Sequence, residues 1–163
     1  MPGMGRAANF ERPFVPALYD LDVRLTSRLV WGTSVAEQGR FAAAVLDAAT
    51  GPVLEVPVGT GLVTRKALRR ASRRTGGRSA RRSAGVRRVR PAPATKPPLL
   101  VAVDLSAAVL QRARRRLGDQ AVYVRADVAH LPFRAGAFHA VHSGNGFHLF
   151  PDPAAAATEL ART

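Results

Sequence analysis

The feature that most constrains this chain is a succession of short apolar runs, each ended by a glycine turn or a carboxylate. Val53 to Val58 runs into Gly59-Thr60-Gly61, Leu99 to Val103 into Asp104, Ala121 to Ala126 into Asp127, and Phe138 to Ser143 into Gly144-Asn145-Gly146. An apolar run without alternation suits a strand buried on both faces, as in a parallel sheet. Between the runs lie helical signals. Leu62 to Ala71 opens a helix after the glycine turn. Ser106 caps a helix over Ala107 to Leu117, with Leu110, Ala113 and Leu117 on its buried face and Gly118 ending it. Arg114, Arg115 and Arg116 fall in its last turn, where the helix dipole favours cations. Asp152 as N-cap and Pro153 at the first helical position start a last helix.

Strand–helix alternation of this kind implies parallel strands joined by right-handed crossovers. The fold class is therefore α/β, a Rossmann-like open and mainly parallel sheet with flanking helices. Ahead of the first run, Leu18, Leu21, Leu25 and Leu29 recur at helical spacing and predict an amphipathic helix within Ala17 to Trp31. Ser34 and Glu37 form a capping-box pattern, after which Phe41, Val45 and Ala48 share a helix face until Thr50-Gly51-Pro52 stops it. Residues 1–50 thus read as an amino-terminal helical lid or cap region, and residues 51–163 as the cofactor-binding domain.

Residues 72–98 interrupt that domain. They are rich in Arg, Gly, Ser and Pro, with only Val86 and Val89 as large aliphatics, too few to offset ordering entropy. The segment reads as a disordered basic loop, although loops of this length are uncommon inside compact domains. It also explains the charge. The 163 residues carry 25 basic and 11 acidic side chains, but residues 65–96 alone hold 13 basic and no acidic ones. The rest of the chain holds 12 basic against 11 acidic, so its body is nearly neutral. Three readings of the segment follow: a solvated insertion, a phosphate-binding stretch of a basic RNA-associated protein, or a local reading-frame shift in a GC-rich gene. The lack of interleaved aromatics speaks against base stacking. The content of 47% hydrophobic residues supports a packed core, and the absence of cysteine excludes disulfides, thiolate metal sites and cysteine nucleophiles. No apolar run approaches the ~18 residues of a membrane span, and no signal-peptide core occupies Met1 to Phe10. The expectation is a soluble, cytoplasmic protein.

In an open parallel sheet, ligands sit beyond the carboxyl ends of the strands. Those ends carry Glu55, Gly59, Thr60 and Gly61, then Asp104, then Asp127, then Ser143, Gly144 and Asn145. Glycines let backbone approach a ligand closely, and an acid after the second strand can accept hydrogen bonds from ribose hydroxyls. The combination points to an adenosine-bearing cofactor. Thr64 stands where a dinucleotide fingerprint has its third glycine, which weakens a pyrophosphate site. His130, His139, His142 and His148 show no metal-ligand spacing, so no metal is expected.

The blocks VLEVPVGTGL, LLVAVDLSAAVLQRARRRL, VYVRADVAHLPF and FHAVHSGNGFHLFPDP resemble, as an ordered set, a class I S-adenosylmethionine-dependent methyltransferase of the UbiE-like, small-molecule type. The resemblance covers residues 53–71 and 99–163, and more loosely 17–50. It implies S-adenosyl-L-methionine as cofactor and a small-molecule methyl acceptor. By the resemblance, Glu55 orders the glycine turn, while Gly59, Thr60 and Gly61 pass under the methionine and ribose portions. Asp104, with Leu105, holds the ribose. Asp127 reaches the adenine amino group and Val128 packs on the ring. Ser143 and Asn145 flank the methionine end, and Tyr19 belongs to a lid. The catalytic residue is not legible; His148 is a candidate base.

The chain departs from the family pattern in places. Pro57 stands for a usual glycine and His139 for a usual aspartate. Glu55 and Asp104 are 49 residues apart, against ~20 for one strand–helix–strand step. The family continues beyond the last helix with a fifth strand and an antiparallel hairpin. A second reading is therefore a catalytically incomplete cofactor-binding module or truncated gene product, whose fourth strand is an apolar edge that a second copy can cover as a homodimer.

Overall fold

In the computed structural model, residues 15–30, 32–77, 98–144 and 146–163 are described. Helices α1 (Val15–Leu29) and α2 (Val35–Ala48) precede strand β1 (Val53–Glu55). Helix α3 (Leu62–Gly77), strand β2 (Leu100–Asp104), helix α4 (Ala107–Leu117) and strand β3 (Val122–Arg125) follow, then strand β4 (Ala140–His142) and helix α5 (Pro153–Arg162). Short 3-10 turns cover Gly118–Gln120 and Phe147–Leu149. The sheet order is β3-β2-β1-β4, and every pairing is parallel. This is the expected α/β architecture with shorter strands: β1 keeps only Val53 to Glu55 of the apolar run.

Alternation along the strands sorts the core into two faces. Val53, Leu100 and Ala102 face helices α2, α3 and α4, packing with Ala42, Ala43, Leu46 and Ala67, and with Leu110, Ala113 and Leu117. Leu54, Val101 and Val103 face the other way, onto Val128, Leu131 and Ala156 of α5. The middle strands β1 and β2 are buried almost throughout, whereas β3 at one edge is half exposed. Helices α2 and α3 pack closely because Gly39 lacks a side chain; a Cβ there would lie 2.8 Å from that of Lys66.

Caps behave as expected at three helix starts. Ser34 and Glu37 form the complete capping box of α2, the Ser106 hydroxyl accepts from the Val109 N–H, and Asp152 accepts from the N–H groups of Ala154 and Ala155. Glu159 of α5 accepts from the Leu131 N–H at 2.8 Å and pairs with Arg162, which ties the helix to the preceding loop.

Three expectations are corrected and one is extended. The leucine stripe of α1 faces outward, with Leu18 66% and Leu29 79% exposed, and the helix turns Asp20 and Ser27 toward the domain instead. In α2 the buried face is Val35, Gly39, Ala42, Ala43 and Leu46, and Phe41 is 67% exposed. The spacing was helical in both, but the partner lies on a different side. Residues 72–77, expected within a loop, continue α3 to Gly77; Arg73 and Arg74 are good helix formers and carry the helix on before Gly76 and Gly77 end it. Residues 78–97 lie outside the described residues. Finally, Arg116 is more than a dipole-favoured cation, since its guanidinium reaches back to Thr60 and Asp20.

Candidate functional site

The carboxyl ends of β1, β2 and β4 meet at one edge of the sheet, and backbone hydrogen bonds stitch them together. Val58 N–H donates to Val103 O at 2.8 Å, and Val56 N–H donates to His142 O at 3.0 Å. Directly after Val58 the chain turns through Gly59 and Gly61, both at positive φ. At Gly61 only glycine fits on two counts: φ is +72°, and a Cβ would lie 3.1 Å from Leu117 of α4. Gly61 N–H closes the turn on Val58 O at 3.1 Å.

Asp104 sits at the end of β2 beside this turn. Its Oδ2 accepts from Gly59 N–H at 3.0 Å and its Oδ1 from Ser106 N–H at 3.0 Å. The expected juxtaposition of the glycine turn with the second-strand acid is therefore present. These two backbone donors fix the carboxylate at the strand end, beside the glycine turn. Leu105, next in the chain, exposes its side chain, and its carbonyl accepts from Arg125 Nε at 2.9 Å.

Glu55 closes β1 on the helix side of the sheet. It is buried, and the Thr64 hydroxyl of α3 donates to its Oε1 at 2.8 Å. The parallel register places His142 directly beside it, with Nδ1 3.9 Å from Oε1. Burial pushes the Glu55 carboxyl up to about 7, against the lowering effect of the Thr64 hydrogen bond. Burial holds the His142 imidazole below its ordinary value, which favours its neutral form. Sequence reasoning missed this pair. Glu55 lies three residues before the end of its apolar run and His142 one before the end of its own, so no matching position marked the pair and only the register joins them.

The remaining expected site residues are distributed as follows. Thr60 is buried with its hydroxyl committed to Asp20 and Arg116. Asp127 is exposed and accepts from Ala129 N–H at 3.0 Å, while Val128 is buried in the core with Leu54 and Leu131. Ser143 follows β4, and its Oγ is shielded without a hydrogen-bond partner among the described residues. Gly146 lies against Pro57; a Cβ there would come within 2.1 Å of the proline Cγ. Asn145 lies outside the described residues, as does the side chain of Tyr19, whose backbone belongs to α1. His148 is exposed in the short turn before α5, away from Glu55 in the sequence and on another element. Among the described residues no cluster of His, Cys, Asp and Glu can hold a metal ion, and no helix is long and apolar enough to cross a membrane.

Solved structures share this fold. A Methanococcus maripaludis protein assigned as an S-adenosyl-L-methionine-dependent methyltransferase aligns with a TM-score of 0.62 and 14% identity over 94% of this chain and 58% of its own. An S-adenosylmethionine-dependent methyltransferase of Aquifex aeolicus aligns with a TM-score of 0.54 and 12% identity over 96% of this chain and 64% of its own. The fold is the one seen in these S-adenosylmethionine-dependent methyltransferases. Residues 83–163 match the family described as Methyltransferase domain. Two uncharacterized chloroplastic methyltransferases of Arabidopsis thaliana are similar, one 36% identical over 72 residues and the other 32% over 71. The chain spans about a fifth of the length of each, and 39% of this chain is matched. Family and fold imply S-adenosylmethionine as the cofactor. The fold alone does not fix the reaction, because the [4+2]-cyclase SpnF also aligns, with a TM-score of 0.55 and 19% identity over 83% of this chain and 43% of its own.

Proposed function

We propose that this chain binds S-adenosylmethionine at the carboxyl ends of β1, β2 and β4 and transfers its methyl group to a small-molecule acceptor, in the manner of the UbiE-like enzymes it resembles. The observation that carries this reading is the meeting at one sheet edge of the glycine turn, the Asp104 carboxylate and the Ser143 hydroxyl, which has no hydrogen-bond partner among the described residues. These groups suit the cofactor's donors and acceptors. Asp104 would accept the ribose hydroxyls and Leu105 would cover an apolar face. Gly59 and Gly61 would let the backbone pass under the methionine and ribose portions, with Thr60 ordering that turn. Ser143 and Asn145 would face the methionine end. Asp127 would reach the adenine, with Val128 supporting the pocket wall from the core.

The cofactor supplies a methyl on a positive sulfur, already activated toward an in-line nucleophile. The chain's own contribution is then to orient two partners and exclude water. Of the amino-terminal region 1–50 read as a lid, helix α1 is the part this reading sets over that edge, and 51–163 serve as the cofactor-binding domain. His148 is the candidate base on the acceptor side. A second copy of the chain covering the β4 edge is the oligomer this reading favours.

Calorimetric titration of the chain with S-adenosylhomocysteine tests the reading. Saturable binding that falls at least tenfold in Asp104→Asn, about 1.4 kcal/mol, is expected. A folded chain that shows no binding would overturn it. Methyl transfer is a separate measurement, following labelled methyl from S-adenosylmethionine into candidate acceptors.

A further inference from the structure

Asp20 lies on the inward side of α1, and three elements converge on it. The Thr60 hydroxyl of the glycine turn donates to its Oδ1, and the Arg116 guanidinium of α4 forms a forked pair with both carboxylate oxygens. Arg116 Nη1 also donates to the Thr60 carbonyl at 2.9 Å and to Thr60 Oγ1 at 2.7 Å. Arg112, one turn earlier in α4, brings Nη2 to 3.9 Å from Asp20 Oδ2, while its Nε is shielded without a hydrogen-bond partner among the described residues. Asp20 and Arg116 are each only 15% exposed at the side chain.

The geometry has two consequences. The Thr60 hydroxyl is engaged both ways, giving its proton to Asp20 and accepting from Arg116. The Thr60 carbonyl is fixed by the same guanidinium, so the peptide between Thr60 and Gly61 cannot rotate without breaking the fork. Helix α1, in turn, has its leucine stripe in solvent. Among the described side chains, polar contacts tie it to the domain: this cluster at one end, and at the other Ser27, whose hydroxyl accepts from Gln38 Nε2 at 3.0 Å. The position of α1 and the shape of the glycine turn are therefore read through one carboxylate.

We propose that Asp20 is a positioning residue that couples helix α1 to the glycine turn, so that docking of α1 and occupancy of the cofactor site strengthen each other. The proposal rests on the cofactor reading above. Coupling of this kind is reciprocal: whatever α1 contributes to ligand affinity, the ligand returns as stability of α1. Asp20 itself touches no cofactor; it acts through Arg116 and Thr60.

The test uses the full chain and S-adenosylhomocysteine. Affinity is measured by calorimetry, and amide hydrogen exchange is followed over residues 15–29 and 59–61, with and without ligand. In the wild-type chain, ligand slows exchange in α1. In Asp20→Asn, affinity falls roughly 5–150-fold, exchange at Gly59 to Gly61 accelerates, and the ligand no longer protects α1. Asp20→Glu, which keeps the carboxylate, restores part of both. Arg116→Lys keeps the charge but not the fork, and carries the same expectation should Asp20→Asn not fold. Wild-type binding with unchanged affinity and undiminished α1 protection in these variants overturns the coupling alone. No binding by the wild-type chain overturns the cofactor reading and the coupling with it.

Discussion

Glu55 shows how one side chain links strand, helix and pH. It is buried between β1 and α3 with its carboxyl pushed up to about 7. Its ordinary value is 4.5, so between there and about 7 the folded chain holds a proton that the unfolded chain has released. Stability attributable to this group therefore falls as pH rises through that window. Neighbouring His142 has the opposite sense: its value is lowered by burial, so its contribution is lost as pH falls below 6.5. Comparing Glu55→Gln with wild type by denaturant melts isolates the first effect. The variant keeps an acceptor for Thr64, and the difference is expected to grow from little at pH 4.5 to roughly 3 kcal/mol in its favour above pH 7. Equal curves at both ends would mean the carboxyl is solvated. Gly146 is a second residue-scale test. Gly146→Ala drives a methyl into Pro57 and should cost about 1–3 kcal/mol, read as a lowered melting temperature.

Helices illustrate the difference between forming an element and placing it. The capping box of α2 is local, four residues long, and complete in the folded chain. Ser34→Ala should cost about 1 kcal/mol in chemical denaturation, without altering ligand affinity, because α2 lies on the sheet's helix face and not at the strand ends. Helix α1 also has a regular period, but its apolar stripe points to solvent while Asp20 points in. Periodicity determines that a helix has two unlike faces. It does not say which face meets the domain when the inward contacts are an ion pair and a hydroxyl. The same physics explains α2, where small residues at Gly39, Ala42 and Ala43 allow close approach to α3 and leave Phe41 outside, against the ring of His142 at 5.9 Å.

At the scale of the molecule, the sheet order puts β1 and β2 in the middle and β3 and β4 at the edges of the described sheet. Val141 on β4 is 36% exposed. If a second copy covers that edge, as proposed, sedimentation at rising concentration will show self-association, and Val141→Lys will weaken it. A monomer at all concentrations would refute the pairing. Much of this architecture was legible beforehand, for a physical reason. Apolar runs, caps and glycine turns report local requirements: a strand buried on both faces reads as continuous hydrophobics, and the ends of such strands gather Gly59, Gly61, Asp104 and Ser143 by topology alone. The amino-acid order thus determined the alternation, the parallel sheet and the identity of the strand-end groups. Only the tertiary structure decided which groups meet across long separations. Register placed His142 beside Glu55, and packing of α1 against α4 joined Asp20 to Arg116 across 96 residues and to Thr60 across 40. Such contacts depend on how whole elements are set against one another, and no local pattern of charge or hydrophobicity encodes that placement.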